Sequence, residues 1–359
     1  MPIQSFSKRL LKWHDSNQRP HPWKSSKDPY KIWISEIILQ QTKVEAGTPY
    51  YLRFVKTFPT VQTLAAADLD DVYALWSGLG YYSRARNLHE SAKRIVTEFS
   101  GEFPSTYTEI LSLKGVGPYT AAAISSFAYD LPEAVLDGNV KRVIARHHGF
   151  DKDVMTQASS KELNNILVKD YFDPKKPALF NQAIMDFGAT LCKPKQPNCS
   201  HCPVAKDCFA LDHNMTTTLP IRKASITRKD RYFHYIVLRT ETQALFKKRE
   251  EKDIWQNLYD FPLIETKEKE ALSISAIESY IGTLTDLTID KEEIKIIGPK
   301  SQLLSHQRII ARFYSLYLNN LDEINNEGLY LFELKNNSSF AVPKVIDLYL
   351  KDKSIYLFS

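Results

Sequence analysis

Apolar side chains recur at three- and four-residue steps along the first 210 residues of the chain. Phe6 and Leu10 show this spacing near the start, and Leu88 and Ala92 repeat it further on. Such a period is that of a helix with one buried face, so the region is predicted to be helical and to contain no strand. Turn signals with proline or glycine separate the segments, at 20–22, 58–59, 78–80 and 103–104.

The pattern changes after residue 230. Residues 232–238 and 309–317 are rich in β-branched and aromatic side chains, which predicts strands. Helical spacing returns near 271–282 and 341–351. The end of the chain is therefore predicted to mix α and β structure.

The length of 359 residues is too great for one ordinary core and predicts two domains. Residues 213–230 are polar and basic, as in a linker. We therefore expect a mainly α domain over 1–212 and an α+β domain over 231–359.

The composition is that of a globular protein, with 43% hydrophobic and 25% charged residues. The net charge is +5, and most of the excess lies in the first domain, which allows a polyanionic partner without requiring one. The sequence has no apolar run of membrane-spanning length and no signal peptide. We expect a cytoplasmic protein without a membrane partner.

All four cysteines fall in one short segment, with the spacing C-x6-C-x2-C-x5-C. In a reducing compartment, thiols this close predict a metal site and not disulfides. The spacing alone is compatible with a 4Fe–4S cluster or with one tetrahedral zinc ion. The four candidate ligands are Cys192, Cys199, Cys202 and Cys208.

A glycine-rich turn precedes a predicted helix that begins at Pro118. Gly115 and Gly117 leave backbone N–H groups exposed at the helix N-terminus, where a phosphate can bind. A tight helix–helix turn without a ligand is the alternative.

Two carboxylates stand out in the helical domain. Glu36 interrupts a nearly continuous apolar run, and burial would keep it protonated, as a general acid requires. Gln40 and Lys43 would share its helix face by spacing. Asp137 directly precedes a predicted helix, where its ordinary role is an N-cap and a catalytic role is the alternative. A surface or ion-paired glutamate is the alternative for Glu36.

A segment with two glycines, two tyrosines and two arginines spans residues 78–86. Such residues can form a wedge that enters a base stack and grips phosphates. Aromatic side chains at a helix start are also common in cores.

Together and in this order, the motifs resemble the helix-hairpin-helix DNA glycosylases that carry an iron–sulfur cluster, and among them the adenine-specific MutY family. The resemblance covers essentially the whole chain. It implies a 4Fe–4S cluster in loop 192–208 and a Nudix-like domain over 231–359 that recognises 8-oxoguanine. The matching segments are 33–36, 39–42, 78–82, 113–118, 136–140, 180–183 and the four cysteines.

The resemblance implies hydrolysis of the N-glycosidic bond of adenine mispaired with 8-oxoguanine or guanine in duplex DNA. Glu36 would protonate N7 of adenine, and Asp137 would stabilise or trap the sugar cation. Tyr119 and Asn139 would lie beside Asp137. Tyr119 also stands where endonuclease III carries its Schiff-base lysine, and a tyrosine cannot form an imine. We therefore expect a monofunctional enzyme.

Further DNA contacts follow from the same resemblance. Gln182 would read the adenine edge, and Gln41 and Tyr81 would fill the gap that the flipped base leaves. Ser305 and His306 match the lesion-reading motif of the family. The remaining expected DNA contacts are Thr42, Leu79, Tyr82, Arg84, Gly115, Gly117 and Lys141.

Three positions depart from the family pattern: Leu304 replaces a phenylalanine, His21 a leucine and Lys114 a proline. No Nudix catalytic motif follows residue 230, so the second domain is expected to bind and not to hydrolyse. We expect a monomer that binds mispaired duplex DNA in the nucleoid of a bacterium. A pyrimidine-lesion lyase, a non-catalytic lesion binder and a Nudix hydrolase are the alternatives.

Overall fold

The computed structural model describes residues 3–223, 228–285, 293–321, 324, 328–334 and 340–352. The chain forms two compact units. The first comprises residues 1–66 and 87–224, and the second comprises residues 67–86 and 225–359.

The described chain up to residue 212 contains helices and short turns, as the hydrophobic period predicts. The helices are α1 (Ile3–Asp15), α2 (Pro29–Leu39), α3 (Val44–Thr57), α4 (Val61–Ala66), α5 (Leu69–Trp76), α6 (Ser83–Glu98), α7 (Tyr107–Leu111), α8 (Pro118–Tyr129), α9 (Gly138–His148), α10 (Gln157–Asp170), α11 (Pro177–Thr190) and α12 (Phe209–Asp212). No helix within the described ranges is long and apolar enough to cross a membrane.

The ends of α2 are set by local chemistry. The Asp28 side chain caps the helix by accepting a hydrogen bond from the backbone N–H of Tyr30, and Pro29 occupies the first turn. The helix ends at Leu39 because Gln40 leaves the helical conformation. Gln40 and Lys43 therefore do not continue the helical face of Glu36, and that expectation was wrong.

One hydrophobic cluster of the first unit lies between α1 and the four helices α8 to α11. Each of these helices contributes apolar side chains to it, and many are fully buried, such as Leu10, Ile144, Leu163 and Phe180. Burial of this much apolar surface is the main stabilising term for the unit. It fixes α8, α9 and α11, which carry several of the polar residues described below.

The second unit is built on a mixed sheet, as the residue pattern predicts. Its strands are β1 (Lys229–Arg239), β2 (Gln243–Lys248), β3 (Tyr259–Asp260), β4 (Leu263–Thr266), β5 (Lys295–Leu303), β6 (Gln307–Tyr317) and β7 (Leu329–Glu333). Over the described residues the strand order is β3-β2-β1-β6-β5, with β4 on β1 and β7 on β2. The strands β1 and β6 are parallel, and β5 and β6 form an antiparallel pair.

Alternate residues of β1 face opposite sides of the sheet, and each side has its own core. Tyr235 packs in the cluster that includes α14 (Lys344–Leu350), and Ile236 packs in the cluster that includes α13 (Ile274–Ile281). The predicted fold class, a helical domain followed by a mixed α and β domain, is confirmed.

Residues 67–86 fold with the second unit although the sequence predicts them in the helical domain. Lys248 Nζ lies 3.3 Å from a carboxylate oxygen of Asp70, and the Tyr82 hydroxyl donates to the Val342 carbonyl at 3.3 Å. These partners are far away in sequence, so no local pattern signals the pairing. The segment contains α5 and the Gly78–Gly80 turn.

Candidate active site

Six of the site residues predicted from the sequence line one cavity of about 250 Å³ in the first unit. They come from α2, α8, α9, α11 and the turn after α2, so the packing of the helical core brings them together. The six are Glu36, Thr42, Tyr119, Asp137, Asn139 and Gln182.

Glu36 is a buried carboxyl group inside the apolar face of α2, with 7% of its surface exposed. Burial and the nearby charge of Asp137 raise its pKa to about 7, and a hydrogen bond with Tyr119 partly opposes this rise. Burial also holds the pKa of Tyr119 well above its usual value, so its hydroxyl stays protonated. A substantial fraction of Glu36 therefore carries a proton near neutral pH.

Asp137 is the N-cap of α9. One carboxylate oxygen accepts from the backbone N–H of Val140 at 2.7 Å, and the other accepts from Asn139 Nδ2 at 2.9 Å. Burial raises the pKa of Asp137 above its usual value, and these hydrogen bonds and the charge of Arg142 limit the rise. The cap and the catalytic interpretation are compatible, because the cap holds the carboxylate at the cavity.

Asn139 is itself held in place. Arg142 donates to its Oδ1 at 3.0 Å, which leaves the amide nitrogen to face Asp137. The same guanidinium donates to the Gly188 carbonyl at 2.8 Å and to the Cys192 carbonyl at 2.9 Å. A Cβ at Gly188 would lie 2.8 Å from that of Asn139, so the close approach of α11 requires glycine. Neither Arg142 nor Gly188 is among the residues predicted from the sequence.

The loop between α1 and α2 supplies cavity residues that the sequence did not predict. Arg19, His21, Trp23 and Lys24 all line the cavity. Lys24 Nζ lies 2.6 Å from a carboxylate oxygen of buried Asp186, which anchors the loop on α11. The sequence marked His21 only as a departure from the family. The sequence feature that could have indicated a partner for this loop is Asp186, which lies one turn after Gln182 on the same helix face.

The four cysteines lie in the loop that follows α11, all partly exposed and without disulfides. Burial and the neighbouring thiols raise the pKa of Cys202 to about 12, so a nearby cation would favour ionisation of this thiol. Buried Arg146 fixes the loop: its Nη1 lies 3.5 Å from Cys192 Sγ and donates to the Lys193 carbonyl at 2.7 Å. Within the described ranges, no three His, Cys, Asp or Glu side chains are grouped to hold a metal ion.

The predicted hairpin has the expected form, with α7 and α8 joined by the glycine turn. Gly115 has a φ of +79°, and a Cβ there would lie 2.9 Å from Asn87 Cβ. Gly117 is the N-cap of α8 and has open space in front of it. Lys141, by contrast, points its Nζ to Ser160 Oγ at 2.6 Å and does not line the cavity.

The residues that the sequence predicts to enter the base stack share a backbone feature. Gln41 in the first unit and Tyr81 in the second have φ angles of 58° and 52°, and both side chains are exposed. A left-handed backbone is uncommon for residues other than glycine and often occurs at functional sites. Thr42, which follows Gln41, lines the cavity.

Within the second unit, the Tyr81 hydroxyl lies 3.0 Å from Ser305 Oγ. Ser305 and exposed His306 form the turn between β5 and β6, beside a cavity of about 410 Å³. Leu304 packs against the core of the unit, so the substitution of the family phenylalanine keeps the apolar anchor of this turn. The contact joins the predicted wedge to the predicted lesion reader.

Other predicted DNA contacts near Tyr81 have partners within the protein. Tyr82 is buried and packs edge-on against Tyr73. Arg84 is also buried; it donates to the Gly80 carbonyl at 3.0 Å and lies over the Trp76 ring. These contacts hold the turn that presents Tyr81. Leu79 is partly exposed in the same turn.

Comparison with known proteins adds a consistent set of relatives. The family described as HhH-GPD superfamily base excision DNA repair protein matches residues 34–169. The adenine DNA glycosylase of Buchnera aphidicola subsp. Schizaphis graminum is 34% identical over 98% of this chain and 99% of its own length. The human adenine DNA glycosylase is 41% identical over 58% of this chain and 40% of its own.

Solved structures give the same fold for the helical part. A thermostable thymine-DNA glycosylase matches 59% of this chain and 97% of its own, with a TM-score of 0.53 and 27% identity. An endonuclease III in a non-covalent DNA complex matches 59% of this chain and 96% of its own, with a TM-score of 0.52. At 22% identity, this second likeness shows the fold alone.

Proposed function

Because the chain belongs to the family of adenine DNA glycosylases, which are base excision repair enzymes acting on DNA, we propose that it removes adenine paired with 8-oxoguanine or guanine in duplex DNA. We propose further that it acts as a monomer and only hydrolyses the N-glycosidic bond. The observation that carries this proposal is one cavity that holds a buried and a half-buried carboxyl group in different environments.

Glu36 is suited to the role of general acid. Adenine is a poor leaving group as an anion, and protonation at N7 lets it leave neutral. A pKa of about 7 places Glu36 close to the working pH, where an acid is present and can still give up its proton. Tyr119 can stabilise the glutamate that remains, because its hydroxyl stays protonated and hydrogen-bonds to it.

Asp137 is suited to the sugar cation that adenine leaves behind. Its carboxylate accepts hydrogen bonds from Val140 and Asn139, which stabilise the ionised form. At about 4 Å and an effective dielectric of about 20, one such charge pair contributes about 4 kcal/mol, or roughly a thousandfold in rate. The carboxylate stabilises the cation or traps it covalently before water adds to the sugar.

The absence of a lyase step is supported by the side chains near the cavity. Tyr119 cannot form an imine. The amine of Lys141 is bonded to Ser160 Oγ and to the Val154 carbonyl, and that of Lys24 is paired with Asp186. Borohydride added during turnover should therefore trap little protein on DNA. Efficient trapping without prior base loss would overturn the monofunctional mechanism.

For the cysteine loop we propose a 4Fe–4S cluster bound by all four thiolates, with a structural role. Four thiols on one 17-residue segment supply the ligand set of such a cluster. The raised pKa of Cys202 is what a thiol held among other thiols shows when no positive centre is present to ionise it. Arg142 donates hydrogen bonds both to the Cys192 carbonyl in this loop and to Asn139 Oδ1 at the cavity. An ordered loop therefore helps to hold Asn139 in place.

For the second unit we propose recognition of 8-oxoguanine. This base differs from guanine by an acceptor at C8 and a donor at N7. The Ser305 hydroxyl can serve as donor or acceptor, and its contact with Tyr81 orients it before DNA binds. His306 is exposed at the same turn and can contact the DNA backbone.

The test of the whole proposal is strand cleavage by hot alkali after incubation with duplexes that carry A, C or T opposite 8-oxoguanine. Cleavage should occur only at adenine. The Asp137→Asn variant should bind the duplex and leave it intact, since the shape remains and the charge is lost. Cleavage at a pyrimidine, or a fully active Asp137→Asn variant, would contradict the proposal.

A further inference from the structure

His21 is the one cavity residue that the function proposed above leaves without a role and that also departs from the family pattern. It lies in the loop between α1 and α2 and lines the same cavity as Glu36. Its Nε2 is buried and has no hydrogen-bond partner within the described part of the chain. A buried polar atom without a partner costs free energy, so such an atom in a binding cavity indicates a missing ligand group.

Two polar neighbours of His21, Arg19 and Lys24, already form hydrogen bonds with Asp186. Lys24 Nζ lies 2.6 Å from Asp186, and the same carboxylate oxygen accepts from the Arg19 backbone N–H at 3.5 Å. The imidazole stacks on the Trp23 ring, with centroids 5.1 Å apart and planes inclined by 19°. The stacking restricts the ring plane, so the imidazole is held ready for a partner in the cavity.

The surroundings of His21 favour its neutral form. Burial lowers its pKa, the cations of Arg19 and Lys24 lower it further, and Asp186 and Glu45 act in the opposite direction. A neutral imidazole has one N–H and one lone pair. With the proton on Nδ1, Nε2 is an acceptor.

Adenine in this cavity needs an acceptor of that kind. Protonated Glu36 donates to N7, and the neighbouring 6-amino group is a donor that must also be satisfied once it is buried. Two other acceptors that line the cavity already have donors: Asp137 accepts from Val140, and Asn139 Oδ1 accepts from Arg142. The lone pair of His21 has none in the described chain.

We propose that His21 Nε2 accepts a hydrogen bond from the 6-amino group of the flipped adenine, so that His21 determines base specificity in this chain. The inference rests on the proposed excision of adenine. This contact would explain why histidine replaces the family leucine at this position. A base with a carbonyl at position 6 would place an oxygen lone pair against the lone pair of His21 Nε2. A base with no substituent at position 6 would leave His21 Nε2 without a hydrogen bond.

The test compares two bases, adenine and purine, the latter lacking only the 6-amino group. Single-turnover excision of each base opposite 8-oxoguanine is measured for the wild type and for His21→Leu and His21→Gln. His21→Leu should slow adenine excision about tenfold and purine excision less than about twofold. His21→Gln offers an amide oxygen at similar reach and should keep the wild-type preference. His213→Leu, an exposed histidine outside the cavity, is the matched control.

A loss of both rates in equal measure in His21→Leu would make His21 a packing residue and overturn the inference. An unchanged adenine rate would overturn it as well. The wild-type measurements separate the two proposals: no adenine excision by the wild type rejects the proposed function and the inference with it. Wild-type excision with an unaltered preference in His21→Leu rejects only the role of His21.

Discussion

The protonation of Glu36 should set the upper pH limit of adenine excision, and Tyr119 should set where that limit falls. Glu36 has a pKa of about 7, raised by burial and by Asp137 and lowered by its hydrogen bond with Tyr119. The acid form is present below this pH and is lost above it. The excision rate should therefore fall about tenfold for each pH unit above pH 7.

Replacement of Tyr119 by Phe removes the hydrogen bond that favours the ionised glutamate. A hydrogen bond to a charged group contributes about 1.5–3 kcal/mol, and about 1.4 kcal/mol corresponds to one pKa unit. The midpoint of the falling limb should therefore move upward by about one pH unit or more. The variant loses a tyrosine and nevertheless keeps its activity at higher pH than the wild type.

The measurement is the second-order rate of excision at protein concentrations below saturation, because that rate reports the groups of the free protein. Tyr129→Phe is a matched control, since its hydroxyl donates to the Phe103 carbonyl and does not line the cavity. A midpoint that stays at the wild-type pH in Tyr119→Phe, or that moves downward, would refute the assignment of the falling limb to Glu36.

Three further predictions follow from the two units. The free energy of unfolding should fall by about 3 kcal/mol as the pH rises from 4.5 to 7, because the folded state holds the Glu36 proton more tightly than the unfolded state does. Urea unfolding of Glu36→Gln over the same pH range should not show this loss. An equal loss in the variant would contradict the prediction. Purified protein should be yellow-brown, and a colourless, fully active preparation with one zinc ion would exclude the 4Fe–4S proposal. Ser305→Ala combined with His306→Ala should weaken the preference for 8-oxoguanine:adenine over guanine:adenine by about tenfold or more in single-turnover assays, and an unchanged preference would place lesion reading elsewhere.

The parts of the site that the sequence predicts are those with local signals. The apolar run around Glu36 predicts a buried helix, and the structure has that helix with a buried carboxyl group. Asp137 before a helical pattern predicts an N-cap, and the cap is present. The glycine turn before Pro118 likewise predicts the start of α8. Each of these features depends on residues within one helical turn of one another.

The parts that the sequence does not predict depend on long-range contacts. Arg142 acts on Asn139 from the same helix, but its other partners lie some 46–50 residues further along the chain. The pairing of residues 67–86 with the second unit rests on contacts such as that of Asp70 with Lys248. His21 lies in a loop whose residues show no regular spacing of apolar side chains, so the sequence does not predict where its side chain lies. Its significance follows only from the cavity that α2 and α11 complete around it.

The two carboxyl groups of the cavity show how one fold can keep one carboxyl group protonated and another ionised in the same cavity. Glu36 is buried and Asp137 is half-buried, and burial raises the pKa of both. Asp137 differs because it begins a helix, where a backbone N–H and the amide of Asn139 stabilise its charge. Glu36 lies in the middle of an apolar helix, with Tyr119 as its hydrogen-bond partner, and the charge of Asp137 opposes its ionisation. The ionised aspartate therefore helps to keep the glutamate protonated, so loss of charge at Asp137 should also lower the pKa of Glu36.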